Sequence, residues 1–308
     1  MMKAMQPGNG MNCPLCEGTD VRGFDARAHD SSVAGKTVAI RACQICDFAW
    51  QWPLDRTPGQ SKEIFQQEYQ AERKGGYFDK DLRSAIASCQ FDFVAGLDVQ
   101  TRTLLDIGCG DGAFARECAK RGWQVMGIDP ALPDHLAELH PSGHFGLVKG
   151  MPEDLGLGRE FACVTLWDVV EHLPDPRPVL QTAWDLLAPG GWLVLETGNY
   201  QSAGRLLAGD SWWAWQLDHR WYFSPPTLRV LLEPLGYSEL RVADRVLRPW
   251  SRALSRIDAP SRAQTLLSLL KRPWRAAAIR SEHAAKREAS TRWPQWASLE
   301  IFALAIRK

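Results

Sequence analysis

A glycine loop and two acids after it are the residues of this chain most clearly suited to chemistry. The loop, Gly108-x-Gly110-x-Gly112, directly follows an apolar run that contains Asp106. Glycines let a backbone approach a ligand without a Cβ clash, and the helix that follows offers free N–H groups. Asp129 ends the next apolar run, 17 residues beyond Gly112, and a carboxylate there can bind a ribose diol. The pattern predicts a nucleotide-like ligand.

The spacing of the glycines narrows the choice of ligand. The third glycine falls one position early for a dinucleotide fingerprint, which disfavours an NAD-dependent enzyme. Asp106 would repel a pyrophosphate but attract an ammonium group. An ordinary strand-to-helix turn remains the alternative interpretation, and Cys109 is interpreted as a small packed residue rather than a nucleophile.

Two CxxC pairs form a second chemical group, Cys13 with Cys16 and Cys43 with Cys46, with 26 residues between the pairs. Four thiolates on two tight turns are typical of a tetrahedral zinc site. Such a site has no open position, so we expect structural rather than catalytic Zn²⁺. A redox disulfide and a chance arrangement are the alternatives, and the other four cysteines are expected to be reduced thiols in a cytoplasmic protein.

Candidate bases lie in two places. Glu171 and His172 follow a predicted strand, and His219 lies in a stretch with four tryptophans that also includes Tyr222. Histidine suits proton transfer because its unperturbed pKa is about 6.5. The alternatives are that His172 only packs its loop, and that His219 belongs to a hydrophobic flap rather than to a substrate cavity.

The elements that must position these groups alternate between strand and helix. Apolar runs at 103–107, 124–128, 161–167 and 192–197 read as buried strands, with helices at 113–121 and 177–187 between them. This alternation predicts an α/β fold with a mostly parallel sheet covered on both faces. Residues 227–235 are predicted to form a helix, followed by strands at 237–243 and 299–306.

At this point the sequence resembles the class I S-adenosylmethionine (SAM)-dependent methyltransferases. Four ordered motifs carry the resemblance, which covers roughly residues 85–243 and the final strand: LLDIGCGDG from Leu104, VMGID from Val125, DVVEHLPDP from Asp168 and LLAPGG from Leu186. The branch it resembles contains ubiquinone-biosynthesis O-methyltransferases and methyltransferases of sugar and natural-product pathways. The resemblance implies a Rossmann-like, seven-stranded sheet, SAM as cofactor, and methyl transfer to a small-molecule or glycan- or lipid-linked acceptor, at oxygen or carbon.

The resemblance also implies roles for individual residues. Asp106 and Gly108 would hold the methionine moiety, with Cys109, Gly110 and Asp111 lining its approach, and Asp129 would bind the ribose. The remaining expected cofactor contacts flank the adenine or line the pocket beside the sulfonium; they are Met151, Pro152, Glu153, Trp167 and Asp168. Members of the family often have an acid where Met151 stands, and Met151 would instead offer the adenine an apolar face. The expected catalytic residues are Glu171, His172, His219 and Tyr222.

The predicted zinc ribbon is similar to those of certain sugar C-methyltransferases, and this resemblance points to a carbohydrate or glycan-linked acceptor. Four basic and four acidic residues lie between Cys13 and Cys46, so a nucleic-acid partner is not expected. A ribbon joined to a methyltransferase-like domain that recognises nucleic acid or protein without methyl transfer is the rival hypothesis. The intact Asp106 and Asp129 favour the enzyme.

The sequence predicts four segments: a disordered tail at 1–11, the zinc ribbon at 12–55, a helical linker or lid at 56–100, and the methyltransferase domain at 101–308. The last contains a helical insertion at 245–296, whose residues 245–292 hold ten Arg and two Lys against three acids, or +9, in a chain of net charge 0. A basic amphipathic helix can contact an anionic membrane or a lipid-linked substrate. A lid or a solvated face is the alternative. The sequence has no long apolar run, and we expect no transmembrane helix and no secretory signal.

Overall fold

A computed structural model describes residues 5, 12–28, 37–53, 80–141, 143–155, 160–244 and 301–308. The basic insertion and most of the predicted linker, residues 56–79, lie outside these ranges. In the predicted tail only Met5 is described. It is buried, and its backbone N–H donates to Asp175 at 3.1 Å. No helix in the described ranges is long and apolar enough to cross a membrane.

The described residues form twelve strands and five α-helices. The strands are β1 (Val21–Arg27), β2 (Thr37–Cys43), β3 (Ala49–Gln51), β4 (Thr103–Ile107), β5 (Gln124–Asp129), β6 (Glu138–Leu139), β7 (Phe145–Lys149), β8 (Phe161–Trp167), β9 (Leu187–Gly198), β10 (Trp221–Tyr222), β11 (Glu239–Asp244) and β12 (Ile301–Arg307). The helices are α1 (Lys80–Ala95), α2 (Ala113–Lys120), α3 (Pro176–Asp185), α4 (Ala203–Ala208) and α5 (Pro225–Leu232).

The larger sheet has the order β11-β12-β9-β8-β4-β5-β7-β6. Strands β7, β5, β4, β8 and β9 run parallel, whereas β12, β11 and β6 pair antiparallel at the two sides. The central strands are mostly buried, as expected for a parallel sheet that is covered on both faces, and β8 is buried at every residue. The parallel strands therefore bring their carboxyl ends, with Asp106, Asp129 and Trp167, to one edge of the sheet.

The α/β fold predicted from the sequence is confirmed, but the strand count was wrong by one. The expected seven strands are joined by an eighth, β6, at the edge beside β7. Strand β6 has only two residues, Glu138 and Leu139, and both are exposed. Two exposed residues show no hydrophobic periodicity, so no sequence pattern predicts this strand.

The smaller sheet joins the cysteine-rich segment to the rest of the chain. Its order is β1-β2-β3-β10, and β10 comes from the tryptophan-rich stretch. Trp221 is paired with Trp50, and Tyr222 with Ala49. The aromatic rings of the two segments also pack together, since Phe48 is stacked near Trp50 and Trp221 with ring centroids 6.1 and 6.0 Å apart. The ribbon and the larger sheet thus share one hydrophobic core.

Candidate active site

The glycine loop has a backbone that few other residues could adopt. Gly108, Gly110 and Gly112 have φ values of 73°, 57° and 78°, in the left-handed region that costs other residues energy. A Cβ on Gly112 would lie 2.5 Å from Leu147 of β7. The loop therefore packs tightly on the sheet, and its shape depends on glycine.

Asp106 lies at the end of β4, beneath this loop, and is 2% exposed. The Thr165 hydroxyl donates to its Oδ1 at 2.8 Å. Burial raises the pKa of Asp106 to about 7, and the Asp129 charge contributes to the rise. A cation bound beside this carboxylate would restore its charged form, so the site fits an ammonium group.

Asp129 accepts hydrogen bonds from the segments that follow two neighbouring strands, β4 and β5. Its Oδ2 accepts a hydrogen bond from the Gly110 N–H at 2.9 Å, and its Oδ1 accepts one from the Ala131 N–H at 2.7 Å. Burial raises the pKa of Asp129, although both backbone hydrogen bonds oppose the rise. Each carboxylate oxygen retains a second lone pair, which a ribose hydroxyl can use.

Arg83 is a candidate site residue that the sequence analysis missed. It projects from α1, and its Nη2 donates to Asp111 Oδ1 at 2.7 Å. The same nitrogen lies 3.7 Å from the position of a Cβ on Gly110. The sequence predicts the helix but gives no reason to single out one arginine in it. The only available signal is a cation in the helix that precedes the glycine-loop strand.

The other predicted cofactor residues border the same edge of the sheet. Met151 and Pro152 follow β7, and the Met151 N–H donates to Asp154 Oδ2 at 2.8 Å. Met151 is partly buried against the core, whereas Glu153 is exposed. Cys109 is buried, and burial raises the pKa of its thiol well above the ordinary value. It is therefore a poor nucleophile, as the sequence analysis expected.

Trp167 and Asp168 stand where β8 ends. The Trp167 ring contacts Phe114 edge-on, with centroids 5.3 Å apart. Asp168 has φ 52°, the left-handed region, and its N–H donates to the Glu196 carbonyl at 3.1 Å. A non-glycine residue in this conformation is uncommon and costs energy. The chain therefore turns sharply here and leads directly to Glu171 and His172.

The predicted bases come together in one cluster, although they are far apart in sequence. Ligand atoms of Glu171, His172 and His219 all lie within 4.8 Å of one another. His172 and His219 meet edge to face with ring centroids 4.6 Å apart. Asp218, which the sequence analysis did not select, lies with its Oδ2 3.2 Å from His172 Nδ1. A polar atom of a ligand could contact all three clustered side chains at once.

The two histidines have opposite protonation preferences. Burial alone would lower the pKa of His172, but the Asp218 carboxylate outweighs burial and raises that pKa to about 10. Burial lowers the pKa of His219 to about 3, and the charge on His172 adds to the decrease. Burial also raises the pKa of Glu171 to about 7. Near neutral pH the cluster therefore contains a His172–Asp218 ion pair beside a neutral His219.

Hydrogen bonds to backbone groups hold the loop that contains His219 in place. The Arg220 N–H donates to the Glu171 carbonyl at 2.8 Å, and Trp221 Nε1 donates to the Leu173 carbonyl at 2.6 Å. The His219 ring is hydrogen-bonded to the backbone of Ala214. Each of these contacts ties the tryptophan-rich stretch to itself or to the turn after β8.

Tyr222 and the tryptophans serve mainly as packing. The Tyr222 hydroxyl donates to the His219 carbonyl at 3.3 Å, so it contacts the backbone of the candidate base rather than its ring. Trp212, Trp215 and Trp221 are each 1% exposed, and Trp213 is half-buried. Trp212 and Trp215 pack with residues of the small sheet, whereas the His219 ring lies against His172.

The four N-terminal cysteines are brought together by two equivalent turns. The N–H of Glu17 donates to the Cys13 carbonyl, the N–H of Asp47 donates to the Cys43 carbonyl, and both donors have left-handed φ values of 61° and 59°. Across the turns, the Cys13–Cys46 and Cys16–Cys43 Sγ distances are 3.7 and 3.6 Å. A tetrahedral Zn²⁺ with bonds of about 2.3 Å requires sulfurs about 3.8 Å apart, so the donor set fits that ion.

Comparison with known proteins agrees with this geometry. The family model described as a methyltransferase domain matches residues 69–241. A ubiquinone biosynthesis O-methyltransferase from Cereibacter sphaeroides is 32% identical over 207 residues, covering 62% of this chain and 78% of the relative. A protein of the same name from Chromobacterium violaceum is 34% identical over 148 residues, covering 43% of this chain and 62% of that relative's own length.

Solved structures are more distant. A SAM-dependent methyltransferase from Archaeoglobus fulgidus is 18% identical with a TM-score of 0.48, covering 78% of this chain and 99% of its own. A SAM-dependent methyltransferase from Thermotoga maritima is 17% identical with a TM-score of 0.46, covering 80% of this chain and 98% of its own. On the strength of the family model and the Cereibacter relative, the chain belongs to the SAM-dependent methyltransferase family.

Proposed function

We propose that this chain transfers the methyl group of SAM to a hydroxyl oxygen of a small-molecule acceptor. The observation that carries the proposal is the His172–Asp218 pair, which lies beside neutral His219 at the turn after β8. A polarised histidine is what the removal of a hydroxyl proton requires. Methylation of an aliphatic or ring carbon remains the second possibility, supported by the N-terminal ribbon alone.

SAM would be bound by residues on both sides of the glycine loop. Asp106 would pair with its ammonium group, and Arg83 would pair with its carboxylate in addition to Asp111. Asp129 would accept hydrogen bonds from the ribose hydroxyls. Met151 to Glu153 would flank the adenine, while Trp167 and Asp168 would face the sulfonium side. The buried Asp106 carboxyl, whose pKa burial raises to about 7, is the structural observation that fits a cationic ligand.

The bound sulfonium supplies an activated methyl group and a neutral thioether leaving group. The residues of the chain then need only orient the acceptor, exclude water and accept a proton. We assign proton removal to the neutral form of His172, at Nε2, because Asp218 occupies the other ring nitrogen and fixes the ring. Since the pKa of His172 is raised to about 10, the share of this form grows as the pH rises toward that value. Neutral His172 would accept the hydrogen that the acceptor hydroxyl gives up when it is methylated.

The neighbours of His172 have supporting roles in this proposal. Neutral His219 holds the acceptor hydroxyl by a hydrogen bond, and Glu171 completes the polar wall of the cluster. Tyr222 positions His219 through its backbone carbonyl. Because His219 and Glu171 are almost fully buried, they would contact only an acceptor group that enters the cluster.

Zn²⁺ would be held by Cys13, Cys16, Cys43 and Cys46 as a structural ion. All four Sγ atoms lie within 4.8 Å of one another, and the described cysteines contain no disulfide. With all four positions filled by protein, the ion would take no part in methyl transfer. Its contribution would be to the stability of the ribbon.

The relatives are named as O-methyltransferases, which favours a hydroxyl acceptor over the non-catalytic alternative. Catalysis in the cytoplasm and contact with a lipid-linked acceptor through residues 245–292 stay predictions from the sequence. The test is mass spectrometry after incubation with SAM and a panel of phenolic, enolic and sugar acceptors. We expect one added methyl group on an oxygen. A protein that binds SAM but methylates no member of any acceptor class would contradict the proposal.

A further inference from the structure

The contacts between the ribbon and the acceptor cluster point to a role for the ribbon beyond stability. Gln51 ends β3, directly beyond the second cysteine turn, and is 5% exposed. Its backbone N–H donates to the Arg220 carbonyl at 2.9 Å. Arg220 is the residue that follows His219, so the end of the ribbon sheet is attached beside the acceptor cluster.

The Gln51 side chain makes two more contacts with the same loop. Its Nε2 donates to the Gln216 carbonyl at 2.5 Å and to the Tyr222 hydroxyl at 3.3 Å. Gln216 and Tyr222 flank Asp218 and His219 on either side. One side-chain amide from the ribbon thus bridges the two ends of the loop that holds both residues.

The second cysteine turn, which precedes Gln51 in the chain, makes further contacts outside the ribbon. Phe48, two residues after Cys46, is fully buried and is stacked near Trp221. Asp47 accepts a hydrogen bond from the Gln201 side chain at 3.5 Å, beyond the end of β9. The end of the second cysteine turn therefore contacts both the segment after β9 and the tryptophan-rich stretch.

We propose that the ribbon is a positioning element of the acceptor site, and that Gln51 is the positioning residue through which it holds the loop of Asp218 and His219. Neither Gln51 nor a cysteine contacts the reacting atoms in this proposal. The consequence for methyl transfer rests on the proposed function, because it requires that the acceptor bind at His172 and His219. The positioning itself does not require it.

The experiment compares Gln51→Met with Gln44→Met in the full chain. Methionine preserves side-chain length and removes the amide donor. Gln44 lies on the same cysteine turn and is exposed, and its side chain donates within the ribbon, to the Ala42 carbonyl at 3.2 Å. Gln51→Glu is the second variant, because its carboxylate retains polarity but cannot donate to the Gln216 carbonyl.

The readout is NMR of the histidine ring signals, of which the chain has seven. His172 and His219 are assigned with single-residue variants, and zinc content and SAM affinity are checked in each protein. We expect the His172 and His219 signals to shift in both Gln51 variants and all signals to stay in place in Gln44→Met. With an acceptor from the panel above, kcat should fall about tenfold while the KM for SAM is unchanged.

Wild-type signals for His172 and His219 in both zinc-loaded Gln51 variants would overturn the proposal. Equal shifts in Gln44→Met would also overturn it, because the effect would then belong to the ribbon surface. Shifted signals in an enzyme that methylates no acceptor would support the positioning and contradict the proposed function. The experiment therefore tests the positioning role of Gln51 and the proposed methyl transfer separately.

Discussion

Half-buried His172 and buried Asp218 form an ion pair whose atoms, Nδ1 and Oδ2, lie 3.2 Å apart across 46 residues of chain. The pair occupies the place where the turn after β8 meets the tryptophan-rich stretch. The carboxylate holds one ring nitrogen and leaves the other for a ligand. This arrangement determines how the activity should depend on pH.

Asp218→Asn should shift the pH profile to lower pH. A base must be unprotonated to act, and Asp218 raises the pKa of His172 to about 10, so kcat/KM of the wild type should rise with pH toward that value. The amide removes the stabilising charge and the pKa of His172 falls, so the rising limb should move down by at least about one unit. The maximal rate should fall as well, because the ring loses its orientation.

The measurement is kcat/KM over a broad pH range with one acceptor. Asp210→Asn serves as the matched control, because Asp210 pairs with Arg27 on the exposed surface. A rising limb at the same pH in Asp218→Asn and wild type would exclude His172 as the base.

His219→Ala should lower turnover while the affinity for SAM stays near normal. Loss of a hydrogen bond to the acceptor in a water-excluded site should cost about tenfold or more in kcat. Single-turnover kinetics and calorimetry with SAM separate the two effects. His140→Ala, a change at an exposed histidine, is the control. Unchanged turnover with the true acceptor would remove His219 from the mechanism.

The affinity for SAM should pass through a maximum as pH rises. Asp106 must be charged to pair with an ammonium group, and its pKa is raised to about 7. Below that pH the affinity should fall about tenfold per unit, and above about pH 8 it should fall again as the α-amino group of SAM loses its proton. Calorimetry across this range measures both limbs.

Asp106→Asn provides the control for this profile. The variant should bind SAM weakly and lose the acidic limb but retain the alkaline one. An acidic limb that persists in Asp106→Asn would assign it to another group.

Arg83→Met should weaken SAM and its demethylated product alike. Both ligands present the same carboxylate, and a hydrogen bond to a charged group contributes about 1.5–3 kcal/mol, or about 10- to 100-fold in Kd. Arg121→Met is the matched control, because Arg121 pairs with Glu117 and Asp92 away from the glycine loop. Wild-type Kd values for Arg83→Met would show that Arg83 pairs with Asp111 and does not contribute to the binding of SAM.

Freshly purified protein should contain about one zinc ion per chain, and a chelator should remove it. Because the cysteine turns share a core with the larger sheet, removal should lower the unfolding temperature by several degrees and not only loosen the ribbon. Mass spectrometry for metals and thermal unfolding provide the measurements. Protein with no metal and an unchanged unfolding temperature would contradict the assignment.

Local patterns made much of this site predictable. Asp106, the three glycines and Asp129 lie within one strand–turn–helix–strand unit, so their spacing alone places them together. The CxxC pairs are local for the same reason, since each turn is built from consecutive residues. Apolar runs located β4, β5 and β8 within one position, whereas β9 begins five residues before its predicted start and β7 was not among the predicted ranges.

Contacts between distant segments could not be predicted in this way. Arg83 and Asp111 are 28 residues apart, and Gln51 and Gln216 are 165 apart. A two-residue strand such as β10 has no periodicity to detect. Asp218 could not be recognised as the partner of His172, because only the folded chain brings the two loops together.

The small sheet also sets an order of events during synthesis of the chain. All four cysteines precede residue 47, whereas Tyr222, in the last strand of their sheet, follows Gln51 by 171 residues. At about 5–20 residues per second, a ribosome needs about 10–30 s to cover that distance. A nascent chain can therefore bind its metal early, before the edge of β3 has a partner strand. That edge is paired only after the loop of His219 and β10 have been synthesised.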